Sequence, residues 1–278
     1  MSTLTAPVDP MAPEGKALVL DVVRHERQRF YKLIDDPANW EVQTRCTEWE
    51  VRDLVGHMID VTEGYLARWD FAKRGESADA VGLAVMGATL DDHAKAFRKL
   101  SREGAIARLK DASSKMLEIF EGLSPEEWTG FNVTHPYMGD LPTSFYPAAH
   151  VMDYGVHTYD IRYGLGETLA ELDERTAGVL IPYMFILMQY TVDAAAARGV
   201  DTAYGIEISG AWGDRWRVTV RDGQYAYAPE ESGFEGCRAL FRHTPSDFVL
   251  TSFGRFPGGS ASGDPEVIEK IRGLFFRI

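Results

Sequence analysis

The stretch YPAAHVMDYGVHTYDIRYGLG, residues Tyr146–Gly166, contains the pattern that decides the fold. Apolar residues recur through it at helical spacing, Pro147 suits a first helical turn, and Gly164 and Gly166 suit a helix end. We therefore predict a helix over Tyr146–Tyr163. On that helix, four ionisable residues at positions i, i+3, i+7 and i+10 share one stripe: His150, Asp153, His157 and Asp160.

This stripe predicts a metal site, because burying charged groups is costly unless they are paired or bind an ion. Asp153 and His157 lie one turn apart and can converge on a cation. A third ligand must come from another helix, and His57, on the core-facing side of a predicted helix over Glu50–Ala72, is the best candidate. Two imidazoles and one carboxylate suit catalytic zinc or, less specifically, non-haem iron. Taken singly, Asp153 and His157 also fit a helix-surface pair, and His57 also fits a core histidine.

Further residues near the stripe receive supporting roles. Asp160 is expected to orient His157 from outside the ligand set. His150 is a candidate catalytic or pocket-lining residue. Cys46 is expected to be a buried small residue rather than a nucleophile, since no nearby feature argues for its activation. His135, in the loop before the helix, is expected to be exposed, with a position facing a pocket as the alternative.

The chain up to residue 200 is predicted to be mainly helical, with loops over Pro37–Trp49 and Pro125–Ser144. The other predicted helices are Pro13–Asp35, Glu50–Ala72, Leu90–Leu123 with a break near Gly104, and Asp173–Arg198. The last is strongly apolar over Val179–Val192. It is short for a membrane span and contains Pro182 and Gln189, so a buried bundle helix is the better interpretation.

The composition changes after Gly199. Alternating residues predict strands over Tyr204–Ser209, Arg215–Arg221 and Gln224–Ala228, and two closing helices begin at Thr244-Pro245 and Asp264-Pro265. Asp222-Gly223 predicts a hairpin turn between the second and third strands. The predicted fold class is α+β, with a disordered tail over residues 1–13, a helical bundle over 14–200 and a small α+β domain over 201–278.

Charge and cysteine content exclude several functions. Among 278 residues, 29 are basic and 42 acidic, which gives a net charge of −13. Such a chain is a poor general binder of nucleic acid or anionic lipid, so we expect neither nucleic acid nor membrane as a partner. Its two cysteines exclude a disulfide scaffold and suit a reducing compartment. With no secretory signal visible in the first 15 residues, we expect a cytoplasmic protein.

Two motifs resemble those of the mycothiol-dependent maleylpyruvate isomerase family. The segment CTEWEVRDLVGH, Cys46–His57, is similar to the family's opening motif, which ends in a metal-binding histidine. Asp153-x-x-x-His157-x-x-Asp160 resembles its second motif, where the first residue is normally Glu. The resemblance implies a DinB-like four-helix bundle over 14–200 and a sterol-carrier-like domain over 201–278. It also implies His57, Asp153 and His157 as the zinc ligands.

The resemblance also implies mycothiol as a thiol cofactor. A zinc-bound thiol loses its proton near neutral pH, and the thiolate can add to a small electrophilic substrate. Cis–trans isomerisation or S-transfer would follow. Arg255, in the predicted second domain, is our candidate catalytic residue for holding an anionic group.

Two alternatives remain open. One is a non-catalytic binding protein with an aromatic pocket lined from Tyr137, Phe145, Tyr146 and the C-terminal domain. The other is a zinc hydrolase in which metal-bound water attacks an amide or ester.

The chain is expected to be a monomer or a homodimer.

Overall fold

The computed structural model describes residues 8–167 and 171–275. They divide into two compact units, one over Val8–Leu172 and a second that begins at Asp173. Residues 1–7 of the predicted tail lie outside the described ranges. The rest of that tail is folded, because Pro10 is buried and the Ala12 amide donates to the Asp9 carbonyl over 3.1 Å.

The four longest described helices form the frame of the first unit. They are α1 (Lys16–Ile34), α2 (Val51–Lys73), α4 (Arg102–Gly122) and α6 (Phe145–Gly164). Helix α1 packs against α6 and α2 packs against α4. Apolar side chains from all four helices meet in one core, which includes Phe30, Leu54, Leu109 and Tyr154.

Shorter elements connect these helices. They are α3 (Leu83–Lys95), α5 (Pro125–Gly130) and a two-stranded antiparallel hairpin, β1 (Asn132–His135) and β2 (Gly139–Pro142). The predicted helix over Leu90–Leu123 is interrupted before α4 rather than at Gly104. The cause is Ser101, whose Oγ accepts a hydrogen bond from the Gly104 amide at 3.1 Å and so caps a new helix.

Two glycines let neighbouring backbone approach helices α2 and α6 closely. A Cβ atom on Gly56, in α2, would lie 2.1 Å from the carbonyl oxygen of Ala94. A Cβ atom on Gly164, at the end of α6, would lie 2.1 Å from the carbonyl oxygen of Gln43. Neither position has room for a side chain. The absence of a side chain at Gly164 lets the segment from Gln43 to Glu50 pack against the end of α6. Gln43 and Glu50 also form a β-bridge with each other.

The second unit contains a five-stranded sheet with the order β5-β4-β3-β6-β7. Its elements are α7 (Glu174–Tyr190), β3 (Asp201–Ile208), β4 (Arg215–Arg221), β5 (Gln224–Pro229), β6 (Ala239–His243), α8 (Pro245–Ser252), β7 (Ser260–Gly263) and α9 (Pro265–Arg272). Strands β3 and β6 are parallel, and the other neighbours are antiparallel. Asp222 and Gly223 turn β4 into β5 with φ angles of 52° and 78°, as the predicted hairpin requires. The α+β fold class is confirmed.

Helix α7 groups with the second unit, so the structural boundary lies at residues 172/173 and not at the predicted 200/201. The reason is the apolar face of α7. The Phe185 ring lies 4.9 Å from Trp216, 4.9 Å from Tyr227 and 5.2 Å from Phe248, measured between ring centroids. The apolar residues of α7, from which a buried bundle helix is predicted, therefore pack against the sheet of the second unit.

The second unit also contains a cavity of about 570 Å³ between its sheet and helices. Aromatic and methionine side chains make up much of its lining, among them Met184, Phe241 and Phe248. No helix within the described ranges is long and apolar enough to cross a membrane.

Candidate metal centre

His57 of α2 and the pair Asp153 and His157 of α6 converge in the first unit. Each offers one nitrogen or oxygen atom, and these atoms lie within 4.8 Å of one another. The His57 Nε2 atom is 3.9 Å from Asp153 Oδ1. All three side chains are buried, with 4–7 % of their surface exposed. These are the three residues predicted as metal ligands, and the structure brings them together.

The ring of Trp49 covers one side of this cluster. Its centroid lies 5.0 Å from that of His57 and 6.2 Å from that of His157, and the two imidazoles are nearly perpendicular at 5.2 Å. The Trp49 Nε1–H group donates to Asp91 Oδ1 over 2.7 Å, which fixes the indole. Trp49 therefore shields the two histidines from water on that side.

Asp160 orients His157, as its position on the stripe predicts. Its Oδ2 atom lies 3.0 Å from His157 Nδ1. An ionised carboxylate can only accept, so Nδ1 carries the proton and Nε2 is left for a metal. The thiol of Cys46 donates to the same Oδ2 atom over 3.3 Å. Cys46 is expected from the sequence to be a buried small residue. It is half-buried instead, and its thiol is hydrogen-bonded to Asp160.

Burial favours the neutral imidazole at this site. Desolvation lowers the pKa of His157 below the ordinary value, although the neighbouring Asp160 carboxylate acts in the opposite direction. A metal competes with protons for imidazole nitrogen, so a lowered pKa assists binding. Burial thus favours the form of His157 that can bind a cation.

The residues present fit a divalent metal. Two imidazoles and a carboxylate form the donor set of many catalytic zinc sites. Within the described part of the chain, the buried Nδ1 atom of His57 has no hydrogen-bond partner, so this ring is not held by a competing contact there. Asp153 is one methylene shorter than the Glu of the resembled motif, but its Oδ1 atom still reaches the cluster.

His150 lies one turn before Asp153 on α6. It is buried, with ring centroids 5.2 Å from Phe120 and 5.9 Å from Tyr65. Its Nε2 atom has no partner among the described residues, and burial lowers its pKa to about 4. This environment is aromatic and dry, and a catalytic role for His150 stays a prediction.

His135 is buried, so the expectation that it is exposed is wrong. Its Nδ1 atom accepts from the Tyr137 amide over 3.2 Å, which leaves Nε2–H to donate to the Tyr65 hydroxyl over 3.2 Å. Burial lowers its pKa to about 4. Val133 and His135 alternate along β1, and this two-residue period could have indicated that both side chains face inward.

The aromatic residues proposed to line a binding pocket lie mostly in the core. Phe145 and Tyr146 have no exposed surface. The Tyr146 hydroxyl donates to the Val133 carbonyl over 2.8 Å, and its ring lies 4.9 Å from that of Trp69. Both residues therefore hold the start of α6 in place and are not available as pocket walls.

Arg255 lies in the second unit, in the loop after α8. Its backbone amide donates to the Leu250 carbonyl over 2.8 Å, and its Nη1 group donates to the Phe253 carbonyl over 2.9 Å. These bonds fix the loop and hold one end of the guanidinium against it. Its role toward an anionic group stays a prediction.

The fold and the cluster define a helical-bundle protein with a candidate metal centre joined to an α+β unit. The chain matches the family model described as the mycothiol maleylpyruvate isomerase N-terminal domain over residues 23–162, and it belongs to that family. The match spans all three candidate ligands. A search of curated proteins finds no match.

Two solved isomerase structures share the fold over nearly the whole chain. A crystal structure of the mycothiol-dependent maleylpyruvate isomerase is 14 % identical, with a TM-score of 0.59, and the match covers 95 % of this chain and 97 % of that one. A mutant of that isomerase matches with the same identity and coverage and a TM-score of 0.60. The colibactin self-resistance protein ClbS in complex with double-stranded DNA is 15 % identical, with a TM-score of 0.47, and the match covers 59 % of this chain and 100 % of that one. At 14 % identity, the likeness to the two isomerase structures concerns the fold alone.

Proposed function

We propose that the protein is a metal-dependent enzyme that uses mycothiol, or a related low-molecular-weight thiol, as a thiolate that adds to a small electrophilic substrate and gives cis–trans isomerisation or S-transfer. The observation that carries the proposal is the convergence of His57, Asp153 and His157 within 4.8 Å in a member of this family. Zinc is the proposed metal, because the donor set contains two imidazoles and one carboxylate.

The residues at the site divide into proposed metal ligands and side chains that support them. His57, Asp153 and His157 would hold the metal and leave a position open for a thiol. When bound, such a metal lowers the pKa of a coordinated thiol and so supplies a thiolate near neutral pH. Asp160 keeps the proton on Nδ1 of His157, and Trp49 excludes water from one side of the two histidines.

The second unit is proposed to contribute to substrate binding. The chain is strongly acidic, so an anionic substrate or thiol needs a local cation. Arg255 is our candidate for that cation. The substrate is proposed to be a small electrophile, such as one with an activated double bond.

Metal content and turnover of the purified full chain test the proposal. We expect about one zinc per chain, and turnover of maleylpyruvate or a related electrophile only when mycothiol is present. His57→Ala and His157→Ala should each abolish both metal binding and turnover. His93→Ala is the matched control, because His93 is exposed on α3, outside the cluster. Full zinc occupancy in both site variants would overturn the assignment.

The same experiment separates the two alternatives. A non-catalytic binding protein would bind a ligand equally well after metal removal. A zinc hydrolase would turn over its substrate without any thiol, because metal-bound water is then the nucleophile. Strict dependence on both metal and thiol supports only the proposed function.

A further inference from the structure

Cys46 donates to the carboxylate that orients His157. Its Sγ atom lies 3.3 Å from Asp160 Oδ2, and His157 Nδ1 reaches the same oxygen at 3.0 Å. Asp160 has no exposed surface. We infer that Cys46 is a positioning residue of the metal centre, whose thiol fixes the Asp160 carboxylate and, through it, the His157 ring. The inference rests on the proposed function in one respect, namely that the cluster binds a metal.

The backbone around Cys46 places the thiol for this contact. The Arg45 amide donates to the Asp160 carbonyl over 3.0 Å, which ties the segment directly to α6. The Cys46 amide donates to Thr44 Oγ1 over 3.2 Å, and Thr44 Oγ1 donates to the Trp49 carbonyl over 2.8 Å. The same short segment therefore fixes both the thiol and the indole that covers the histidines.

The effect of the thiol follows from carboxylate geometry. A carboxylate that accepts hydrogen bonds from two directions has less rotational freedom than one that accepts from a single direction. Since His157 must present Nε2 to the metal, a loosely held Asp160 would let the imidazole turn away. Loss of a residue that contacts a ligand directly costs about 10- to 100-fold in metal affinity. Cys46 is one hydrogen bond further out, so we expect a loss of about 3- to 10-fold.

Direct metal ligation is the competing role for Cys46. One donor atom each from Cys46, His157 and Asp160 also lies within 4.8 Å of the others. A thiolate ligand would give cobalt-substituted protein an intense charge-transfer band in the near ultraviolet. We expect cobalt bands that arise from nitrogen and oxygen ligands only. The charge-transfer band in the parent, lost in Cys46→Ala, would overturn the positioning role.

A double-mutant cycle tests whether Cys46 acts through Asp160. Zinc affinity is measured by chelator competition for the parent, Cys46→Ala, Asp160→Ala and the double variant, with thermal unfolding of each metal-free form. We expect Cys46→Ala to weaken zinc binding about 3- to 10-fold in the parent and less than about twofold in the Asp160→Ala background. Asp160→Leu, which likewise cannot accept a hydrogen bond, replaces Asp160→Ala if the latter does not fold. An equal loss in both backgrounds would overturn the inference.

Two further variants complete the test. Cys46→Ser keeps a hydrogen-bond donor, so its zinc affinity should lie between those of the parent and Cys46→Ala; a loss identical to that of Cys46→Ala would count against the inference. Cys237→Ala, in the second unit, is the matched control and should leave zinc affinity unchanged. Zinc binding by the parent with no effect of Cys46→Ala would overturn the inference alone. A parent that binds no zinc would overturn the proposed function and this inference together.

Discussion

The Nε2 atom of His57 lies 3.9 Å from the Oδ1 atom of Asp153, although the two residues belong to different helices. This contact joins α2 to α6 at the candidate metal centre. Asp153 occupies the position where the second motif of the family normally has a glutamate. The length and charge of this side chain are therefore the first features to test.

Replacing Asp153 separates charge from length. Asp153→Asn should weaken zinc binding by at least about tenfold, because an amide carries no charge to offset the cation. Asp153→Glu should retain zinc, since it restores the residue normal in the motif. Chelator competition measures both variants. Equal zinc affinity in Asp153→Asn and the parent would show that this carboxylate is not a ligand.

The stability of the metal-free protein should fall as the pH drops from about 6.5 towards 4. Burial lowers the pKa of both His135 and His150 to about 4, whereas in the unfolded chain these rings titrate near 6.5. Between these values the unfolded state binds more protons, so acid favours unfolding. Each shift corresponds to about 3 kcal/mol at most. Denaturant unfolding at pH 7.5 and pH 5 measures the loss.

A variant without one of these rings should lose less stability in acid. His150→Phe replaces a titrating ring by an aromatic one that suits its neighbours Phe120 and Tyr65. We expect a smaller difference in unfolding free energy between pH 7.5 and pH 5 than in the parent. His93→Ala, at an exposed position, serves as the control. An unchanged difference in His150→Phe would contradict the assigned burial effect.

Arg255→Ala should affect catalysis without affecting metal content. We expect KM for an anionic substrate or thiol to rise, or kcat to fall, by about tenfold, which is the usual cost of one charged contact. Arg221→Ala is the matched control, because Arg221 is an exposed arginine of the same unit. Normal kinetics in Arg255→Ala would remove this residue from the proposed site.

A chain truncated after Leu172 should fold and hold the metal. The three candidate ligands and the core around them lie in the first unit. A chain truncated after residue 200 should be less soluble, because it keeps α7 but removes the sheet residues that Phe185 contacts. Zinc content and gel filtration of the two fragments compare these outcomes. Thiol-dependent turnover by either fragment would show that the second unit is dispensable for catalysis.

The sequence predicts α6 to within one residue at each end, because that helix has a proline in its first turn and glycines at its end. It fails at the end of α7, predicted at Arg198 and observed at Tyr190. The Asp193 side chain accepts hydrogen bonds from the amides of Ala195 and Ala196, at 2.7 Å and 2.9 Å, and this turn replaces helical bonding.

The features of the site that the sequence did not predict depend on contacts between residues far apart in the chain. The pairing of Asp153 with His157 follows from helical spacing, and all three candidate ligands follow from the motif resemblance. The contact between Cys46 and Asp160 joins a loop to a distant helix, and no local period encodes it. The strands β1 and β2 have only four residues each, which is too short for a clear alternating pattern. Because Pro136 and Gly139 are typical of loops, the sequence predicts a loop where the hairpin lies.

Gly56 and Gly164 matter for how this site can be recognised or transplanted. Each touches a neighbouring carbonyl that a methyl group would displace, and each belongs to a helix that carries ligands. Grafting His57, Asp153 and His157 onto another bundle would copy the donor atoms but not the close packing of Ala94 and Gln43 against the helices that carry them. A homologue that keeps the three ligands but has a larger residue at either glycine must have rearranged its backbone. The two glycines therefore belong in any sequence signature of this metal centre.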